Sequence, residues 1–418
     1  MARTLTPKDC HTLINALVRQ ATGQASLTAT DTSSFVSAGE KVLATGMENV
    51  YNALNIVLTR LLIASRPYTA KLQLIQADDS EYASRLRKVS FYSKDALPAG
   101  NFNTDLFTNF AQDFTAGENE SGGTPQSTKS QWAQNLAMPL EMNFGGLSVF
   151  QDSVTLIEDA VKFAFTNEAE FAKFVDGYRS EHENDIASQM EAWNRIAILN
   201  KIASVYDMSS VMNGSAIDLV AAFNTRMGTT YTGTQLRTTY LKEFLEFFVA
   251  LFKNTSNYLE ERTKNFHWSV PKTVNGVQYN ILRHTPKRDQ RCILYGPLYK
   301  ECEAMVLPEI FNDQYLNLET QFEEVSYWQS TSNRMSISVT PAVTNTSTGV
   351  QEAGTAVALD YVVGMIFDRD ALMTNYRLDR ADTTPLEARK HYRNTWRSFA
   401  RNICSDNTEN CVIFYMAS

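Results

Sequence analysis

The chain has 418 residues, 44% apolar and 20% charged, with 23 Phe and 18 Tyr; that balance excludes an intrinsically disordered protein and supplies a large core for two or three lobes. Its 46 acidic side chains against 38 basic ones give a net charge of −8, which excludes a dedicated nucleic-acid binder and leaves only local or weak contact with DNA. Five cysteines (Cys10, Cys292, Cys302, Cys404 and Cys411), an odd number with no Cys-x-x-Cys pair, point away from a disulfide framework or zinc ribbon and toward a reducing compartment.

The N-terminal residues Met-Ala-Arg-Thr-Leu-Thr-Pro-Lys lack a hydrophobic signal core, and no apolar run approaches the roughly 18 residues that span a bilayer. A soluble, intracellular protein with no membrane partner is expected. Thr6-Pro7-Lys8-Asp9 starts a helix, with Thr6 as cap and Pro7 at the first helical position, and Leu13, Ile14, Leu17 and Val18 form its apolar face. After a Ser/Thr-rich stretch, Val50, Leu54, Val57, Leu58, Leu61 and Leu62 predict a second helix that ends at Arg66-Pro67.

From Tyr68 to about Phe144 the helical period is lost. Lys71 to Gln76 and Leu86 to Tyr92 read as strands, and the turn-forming run Ala116 to Pro125 reads as the exposed tip of a long projecting loop. Gly145-Gly146 marks a bend, and a helical region is expected from about Ser153. The best-defined helix starts at Asn167 and runs to roughly Ser204, with Phe171, Phe174, Val175, Tyr178, Ile186, Met190, Trp193, Ile196 and Ala197 at helical spacing. At 1.5 Å per residue it is about 55 Å long, the length of a spine that other elements cross.

Residues 206 to 320 mix element types around an aromatic helix carrying Tyr240, Leu241, Phe244, Leu245, Phe247, Phe248, Leu251 and Phe252. Met335 to Thr340 alternates as a half-buried strand, Ala356 to Phe367 is a strongly apolar strand, and Asp368-Arg369-Asp370 is a strand-end turn. Thr384-Pro385-Leu386-Glu387 has the form of a capping box and predicts a C-terminal helix, with Tyr392, Trp396, Phe399 and Ile403 on one face and Arg389, Arg393, Arg397 and Arg401 on another. Cys411 to Met416 closes the chain as a buried strand. Helices and strands alternate in no repeating order, so the fold class expected is α+β.

Chemistry is sparse. No glycine-rich phosphate loop is present, and His182-Glu183 is not followed by a second histidine at zinc-protease spacing; the five histidines at 11, 182, 267, 284 and 391 are scattered. There is no Gly-x-Ser-x-Gly elbow, and the cysteines read as small buried hydrophobes. No catalytic, cofactor-binding or metal-binding residue is assigned, and no cofactor is expected. The arginine row at 389, 393, 397 and 401 reads as a solvated face or an inter-subunit salt-bridge row before it reads as a DNA contact, because the whole chain is acidic. His267-Trp268 and Tyr327-Trp328 read as packing or interface anchors.

Four segments carry a resemblance. They are Ser34 to Leu43, Val325-Ser326-Tyr327-Trp328-Gln329, Gly364 to Leu372, and the stretch from Thr383 to Arg389 through Asn407-Thr408-Glu409-Asn410. In this order, with a long helix between a projecting loop and late strands, the chain resembles the major capsid proteins of tailed bacteriophages, the Hong Kong ninety-seven-like fold, and looks most similar to those of small short-tailed phages.

The resemblance implies an N-terminal arm over 1–66, an extended E-loop over 67–145, a peripheral domain with the spine helix over 146–205 and 321–364, and an axial domain over 206–320 and 365–418. It further implies a non-enzymatic shell subunit that assembles as pentamers and hexamers in the bacterial cytoplasm and resides in the virion. Scaffolding and portal proteins, and packaged double-stranded DNA held by weak non-specific contact, are the other implied partners. Some relatives crosslink Lys to Asn; Lys94 and Lys129 lie in the loop region, but no motif assigns them that role. A nanocompartment shell of the encapsulin type is the alternative within the same fold. A cytosolic enzyme with a dispersed active site is the alternative outside it.

Overall fold

A computed structural model describes residues 7–23, 28–46, 48–50, 53, 70–76, 85–93, 137–145, 148–165, 168–274, 277–305 and 322–417. Its axis is one long helix, and the elements follow in chain order. Helices α1 (Pro7–Thr22) and α2 (Thr32–Ala44) come first, the second closed at its start by a reciprocal capping box between Asp31 and Ser34. Strands β1 (Arg85–Phe91) and β2 (Pro139–Gly145) pair antiparallel with Arg85 opposite Gly145. Strand β3 (Ser148–Ile157), short helix α3 (Glu158–Ala164) and the 40-residue α4 (Glu168–Asp207) follow.

The second half begins with β4 (Ala216–Asp218), α5 (Leu219–Met227), α6 (Gly233–Thr238) and α7 (Leu241–Tyr258). Next come β5 (Lys272–Val274), β6 (Val277–Tyr279), β7 (Gln290–Tyr295), α8 (Gly296–Met305) and β8 (Phe322–Val325). The chain then runs through β9 (Ile337–Val339), β10 (Ala342–Thr344), β11 (Gln351–Ala353) and β12 (Val357–Leu359). Strands β13 (Tyr361–Asp368), β14 (Leu372–Thr383), β15 (Tyr392–Ser405) and β16 (Cys411–Met416) complete it.

Two sheets organise these elements. The larger runs β4-β16-β13-β7-β8, antiparallel at its centre with parallel strands at both edges. Every residue of β13 is buried, as its unbroken apolar sequence requires of a strand covered on both faces. Phe414 of β16 packs on Phe248 and Phe252 of α7, whereas its neighbour Tyr415 packs on Tyr206 of α4, so the sheet lies between those two helices. Gly364 is required where β13 shifts register, because a Cβ there would sit 2.4 Å from Leu294 Cδ2 and 2.5 Å from the Ile293 carbonyl oxygen.

The smaller sheet, β14-β15-β3, is antiparallel throughout and lies across the middle of α4, where Trp193 packs at a tilt against Phe150 and Phe399 and the Arg401 guanidinium lies 3.9 Å from the Trp193 ring centroid. A separate apolar core joins α1, α2, α3 and the start of α4 around Ile14, Leu17, Phe35, Val42, Phe165 and Phe171. The long helix therefore buries different faces along its length: helices at its start, the small sheet in its middle, the large sheet at its end. A single apolar stripe would not serve all three, and Ile196, expected on that stripe, is 54% exposed.

Several expectations are corrected. The predicted C-terminal helix is a turn followed by β15. Thr384 hydrogen-bonds across to Asn394 through both its N–H and its hydroxyl, Glu387 N–H donates to the Tyr392 carbonyl, and His391 takes a left-handed φ of 50°. The arginine repeat misleads because four is an even number: Arg393, Arg397 and Arg401 share one face of a strand as readily as one face of a helix, and Arg389 lies in the turn. The segment from Ser153 is still strand until Ile157, since pairing with β15 overrides its local pattern.

Residues Gln73–Ile75 form a 3-10 turn in place of a strand, held because Glu323 accepts from the N–H groups of Leu72 and Leu74. The single strand expected over Ala356 to Phe367 is split at Asp360 into β12 and β13. Most of the second N-terminal helix, the tip Ala116 to Pro125, Gly146, Lys94, Lys129, and the side chains of Val175, Tyr178 and His182 lie outside the described residues.

Candidate functional site: a buried polar hub beneath a hairpin

Five consecutive polar residues, Asp406-Asn407-Thr408-Glu409-Asn410, connect β15 to β16. A polar connection normally runs over the surface, where water satisfies its backbone. Here all five are buried, Asp406 to 2% and Asn410 to 1%, so each polar group needs a partner inside the protein.

The partners come from four parts of the chain. From α4, the fully buried Lys201 Nζ donates to the Asp406 carbonyl at 2.7 Å and to Asn407 Oδ1 at 2.8 Å, while Asn407 Nδ2 donates to Ser204 Oγ at 2.7 Å. From the segment before β7, Trp268 N–H donates to the Asn407 carbonyl at 2.7 Å, and Arg283 Nε donates to the Thr408 carbonyl at 3.1 Å. From the end of β13, Asp368 N–H donates to the Asn410 carbonyl; Asn410 Nδ2 donates to Thr285 Oγ1, whose hydroxyl donates to Asp368 Oδ2 at 2.7 Å. His267, buried beside these groups, has Nδ1 2.8 Å from the Asn265 carbonyl and 3.0 Å from Asn410 Oδ1, and Nε2 2.9 Å from the Ile281 carbonyl.

The fourth contribution comes from the β1–β2 hairpin. Lys88 reaches in to pair with both Asp406 and Glu409, and Arg283 bridges the hairpin to the hub by contacting Glu409 at 3.2 Å and donating to Ser90 Oγ at 2.6 Å. Burial by itself would lower the Lys88 ammonium, but the two carboxylates outweigh it and hold its pKa above the ordinary lysine value. Burial likewise pushes the Asp406 carboxyl up, and the Lys88 charge and Thr408 donors override it to leave Asp406 below its usual value. For Glu409 burial prevails over Lys88 and Arg283, and its carboxyl is raised. Removing one member of such a network leaves a buried charge uncompensated, at a cost of about 3–5 kcal/mol.

This arrangement docks the hairpin by one of its two faces. Alternation along β1 sends Lys88 and Ser90 toward the body and leaves Arg87, Val89 and Phe91 facing outward. Val89 is 46% and Phe91 59% exposed, opposite Glu141 and Pro139 of β2. The outward face thus sets two exposed apolar side chains beside the exposed Arg87–Glu141 ion pair, while Leu140, Met142 and Phe144 of β2 turn inward beside Lys88 and Ser90.

The sequence motifs disperse around this hub. Trp328 is buried and donates from Nε1 to the Val362 carbonyl at 2.8 Å, and the Arg195 guanidinium covers the Tyr327 ring at 3.8 Å. Asp368 caps the turn at Arg369–Ala371, and all five cysteines are buried free thiols. Among the described residues no group of three or more His, Cys, Asp and Glu side chains converges as a metal site, and no described helix is long and apolar enough to cross a membrane. Sequence reading missed Lys88, Lys201, Asp406 and Glu409 as one network. Its only local signal is the Asn200-Lys201 pair inside the otherwise apolar run Ile196 to Ala203, and the polar run at 406–410 reads as an ordinary surface turn.

No protein-family model and no curated protein matches the chain. Solved structures do. The capsid structure of Staphylococcus phage Andhra aligns over 84% of this chain and 86% of its own at 10% identity, with a TM-score of 0.50. A chain in the structure of the head fiber and inner core protein gp22 of native bacteriophage P68 aligns over 84% and 85% at 9% identity and a TM-score of 0.49. The capsid of cyanophage P-SCSP1u aligns over 84% and 87% at 11% identity and a TM-score of 0.37. The first of these assigns the fold: the chain shares it with a phage capsid structure.

Proposed function

We propose that this chain is the major capsid protein of a tailed double-stranded-DNA bacteriophage, assembling as pentamers and hexamers into the icosahedral head shell. The observation that carries the reading is the shared fold over 84% of the chain. The exposed Val89 and Phe91 of the hairpin support it, because a neighbouring subunit would cover them. The role proposed is structural rather than enzymatic, and Lys88, paired with Asp406 and Glu409, serves to position a hairpin.

On this reading 1–66 is the N-terminal arm, 67–145 the E-loop region anchored through Lys88, and α4 the spine of a peripheral domain. The peripheral domain covers 146–205 and 321–364 and the axial domain 206–320 and 365–418, and the pairing of β14 and β15 with β3 favours counting residues 372–405 with the peripheral domain instead. Scaffolding and portal proteins and weakly held packaged DNA are the remaining partners, with assembly in the host cytoplasm and residence in the virion.

Negative-stain electron microscopy and light scattering of the recombinant protein, across protein concentration and salt and with a co-expressed scaffold, test the proposal. Shells, tubes or capsomer rings are expected, and a monomer under every condition overturns it. Nuclease-resistant DNA in purified virions separates a genome container from an encapsulin-type shell.

A further inference from the structure

The two edges of the small sheet are built differently. Along β14 the sequence places Arg377, Asp379, Arg380 and Asp382, and Gln76 bridges to Thr374, so charge and cover both blunt that edge. Strand β3 at the opposite edge is ten residues long and contains no Lys, Arg, Pro or Gly; Asp152 is its one charge. It is rich in β-branched residues, and among the described residues no strand pairs with its outer side. A long, nearly uncharged edge is what soluble proteins avoid unless another chain completes it.

We propose that β3 pairs antiparallel with β3 of a second copy of this chain about a two-fold axis, joining two three-stranded sheets into one of six. The inference rests on the lattice reading for the presence of a second copy and adds the contact itself. The sequence of β3 is self-complementary in one register, with Ser153 facing Ser153 of the second copy. Val149, 56% exposed, then meets Ile157, 51% exposed, and Gln151 meets Thr155 on the same outward face. On the face toward α4, Asp152 falls opposite Val154 rather than opposite its own copy, so no like charges meet. Even residues remain on the α4 side in both copies, as Phe150 against Trp193 requires. A two-fold axis perpendicular to the sheet preserves that sidedness, and an isologous pair closes without leaving a new edge at the seam.

The test uses the full chain under assembling conditions. Directly opposed Cβ atoms lie about 4.5–5.5 Å apart, close to disulfide reach after slight adjustment. S153C, mildly oxidised and run on a non-reducing gel, is expected to give a linked dimer, with little background because the five native cysteines are buried. N394C, on the same outward face but one strand inward opposite Thr155, is expected to give none. Q151K/T155K places lysines opposite each other twice and should raise the protein concentration needed for assembly roughly tenfold, while Q151K/T155E should restore it.

Shells whose S153C subunits stay unlinked, equal linking of N394C, or equal assembly of the two charge variants overturns the pairing and leaves the capsid reading standing. An S153C dimer without higher assembly supports the pairing and counts against the capsid reading. Neither shells nor dimer overturns both.

Discussion

Lys201 Nζ lies 2.8 Å from Asn407 Oδ1, where the last turns of a 40-residue helix cross the turn between the two C-terminal strands. The same ammonium donates to the Asp406 carbonyl, so one buried lysine ties the helix to backbone and side chain of a segment more than 200 residues away, a separation of 205 to Asp406 and 206 to Asn407. Burial lowers its pKa from the ordinary lysine value. Lys201→Met keeps the stem's volume and removes the donor, stranding two carbonyl oxygens at about 1–3 kcal/mol each. Urea denaturation of the soluble subunit should show a loss of about 2–5 kcal/mol, and a change below 1 kcal/mol would mean that the lysine is dispensable.

Lys88 plays the corresponding part for the hairpin. Lys88→Met leaves Asp406 and Glu409 buried without their shared cation, and a loss of about 3–5 kcal/mol is expected if the hairpin stays docked. Opening of the hairpin limits that loss, and then amide exchange across residues 85–91 and 139–145 should accelerate while that of β13 and β16 does not. Unchanged exchange together with unchanged stability contradicts the anchoring role. The triple variant K88M/D406N/E409Q, which removes the charges together, should be more stable than K88M alone.

The two carboxylates of the hub impose pH dependences of opposite sign. Asp406 titrates below its ordinary value of 3.8 in the folded chain, so its contribution is complete above that value and is lost as pH falls through the lower folded pKa. Glu409 titrates above its ordinary 4.5 because it is buried; its contribution is complete below 4.5 and is lost as pH rises through the raised folded pKa. Glu409→Gln imitates the protonated form, so its stability, measured by urea titration at successive pH values, should decline less than that of the parent as pH rises past 4.5. Parallel curves for parent and variant would show that Glu409 titrates normally.

Much of this fold is legible in the residue pattern and the hub is not, for a physical reason. The aromatic helix α7 announces itself by one periodic apolar face, the long helix α4 by the length of its helical spacing, and the last strand β16 by an unbroken apolar run. The turn before β15 carries the letters of a capping box, yet Thr384 spends its hydrogen bonds on Asn394 across a hairpin, and nothing local distinguishes the two uses. Strand β3 is decided by its partner β15, far along the chain. Burial of Asp406 to Asn410 depends on Lys88, Lys201 and Arg283 arriving from three distant segments, and charges that meet only in space leave no periodicity behind.

The thiols offer a test of the core itself. Burial pushes Cys302 and Cys404 up to about 12 and Cys411 up to about 11, and raises Cys292 as well. A thiol must ionise to react, so these four are protected twice, by lack of access and by a shortage of thiolate. Cys10 is protected by access, at 1% exposure in the helical core. A thiol-specific disulfide reagent at neutral pH should modify fewer than one group per native chain and all five after denaturation. Because Cys10 lies in a different core from Cys292, Cys302 and Cys411, mild denaturant that exposes it first would show that α1 and α2 leave the body as a unit before the large sheet opens. Simultaneous exposure of all five would show instead that the two cores unfold together.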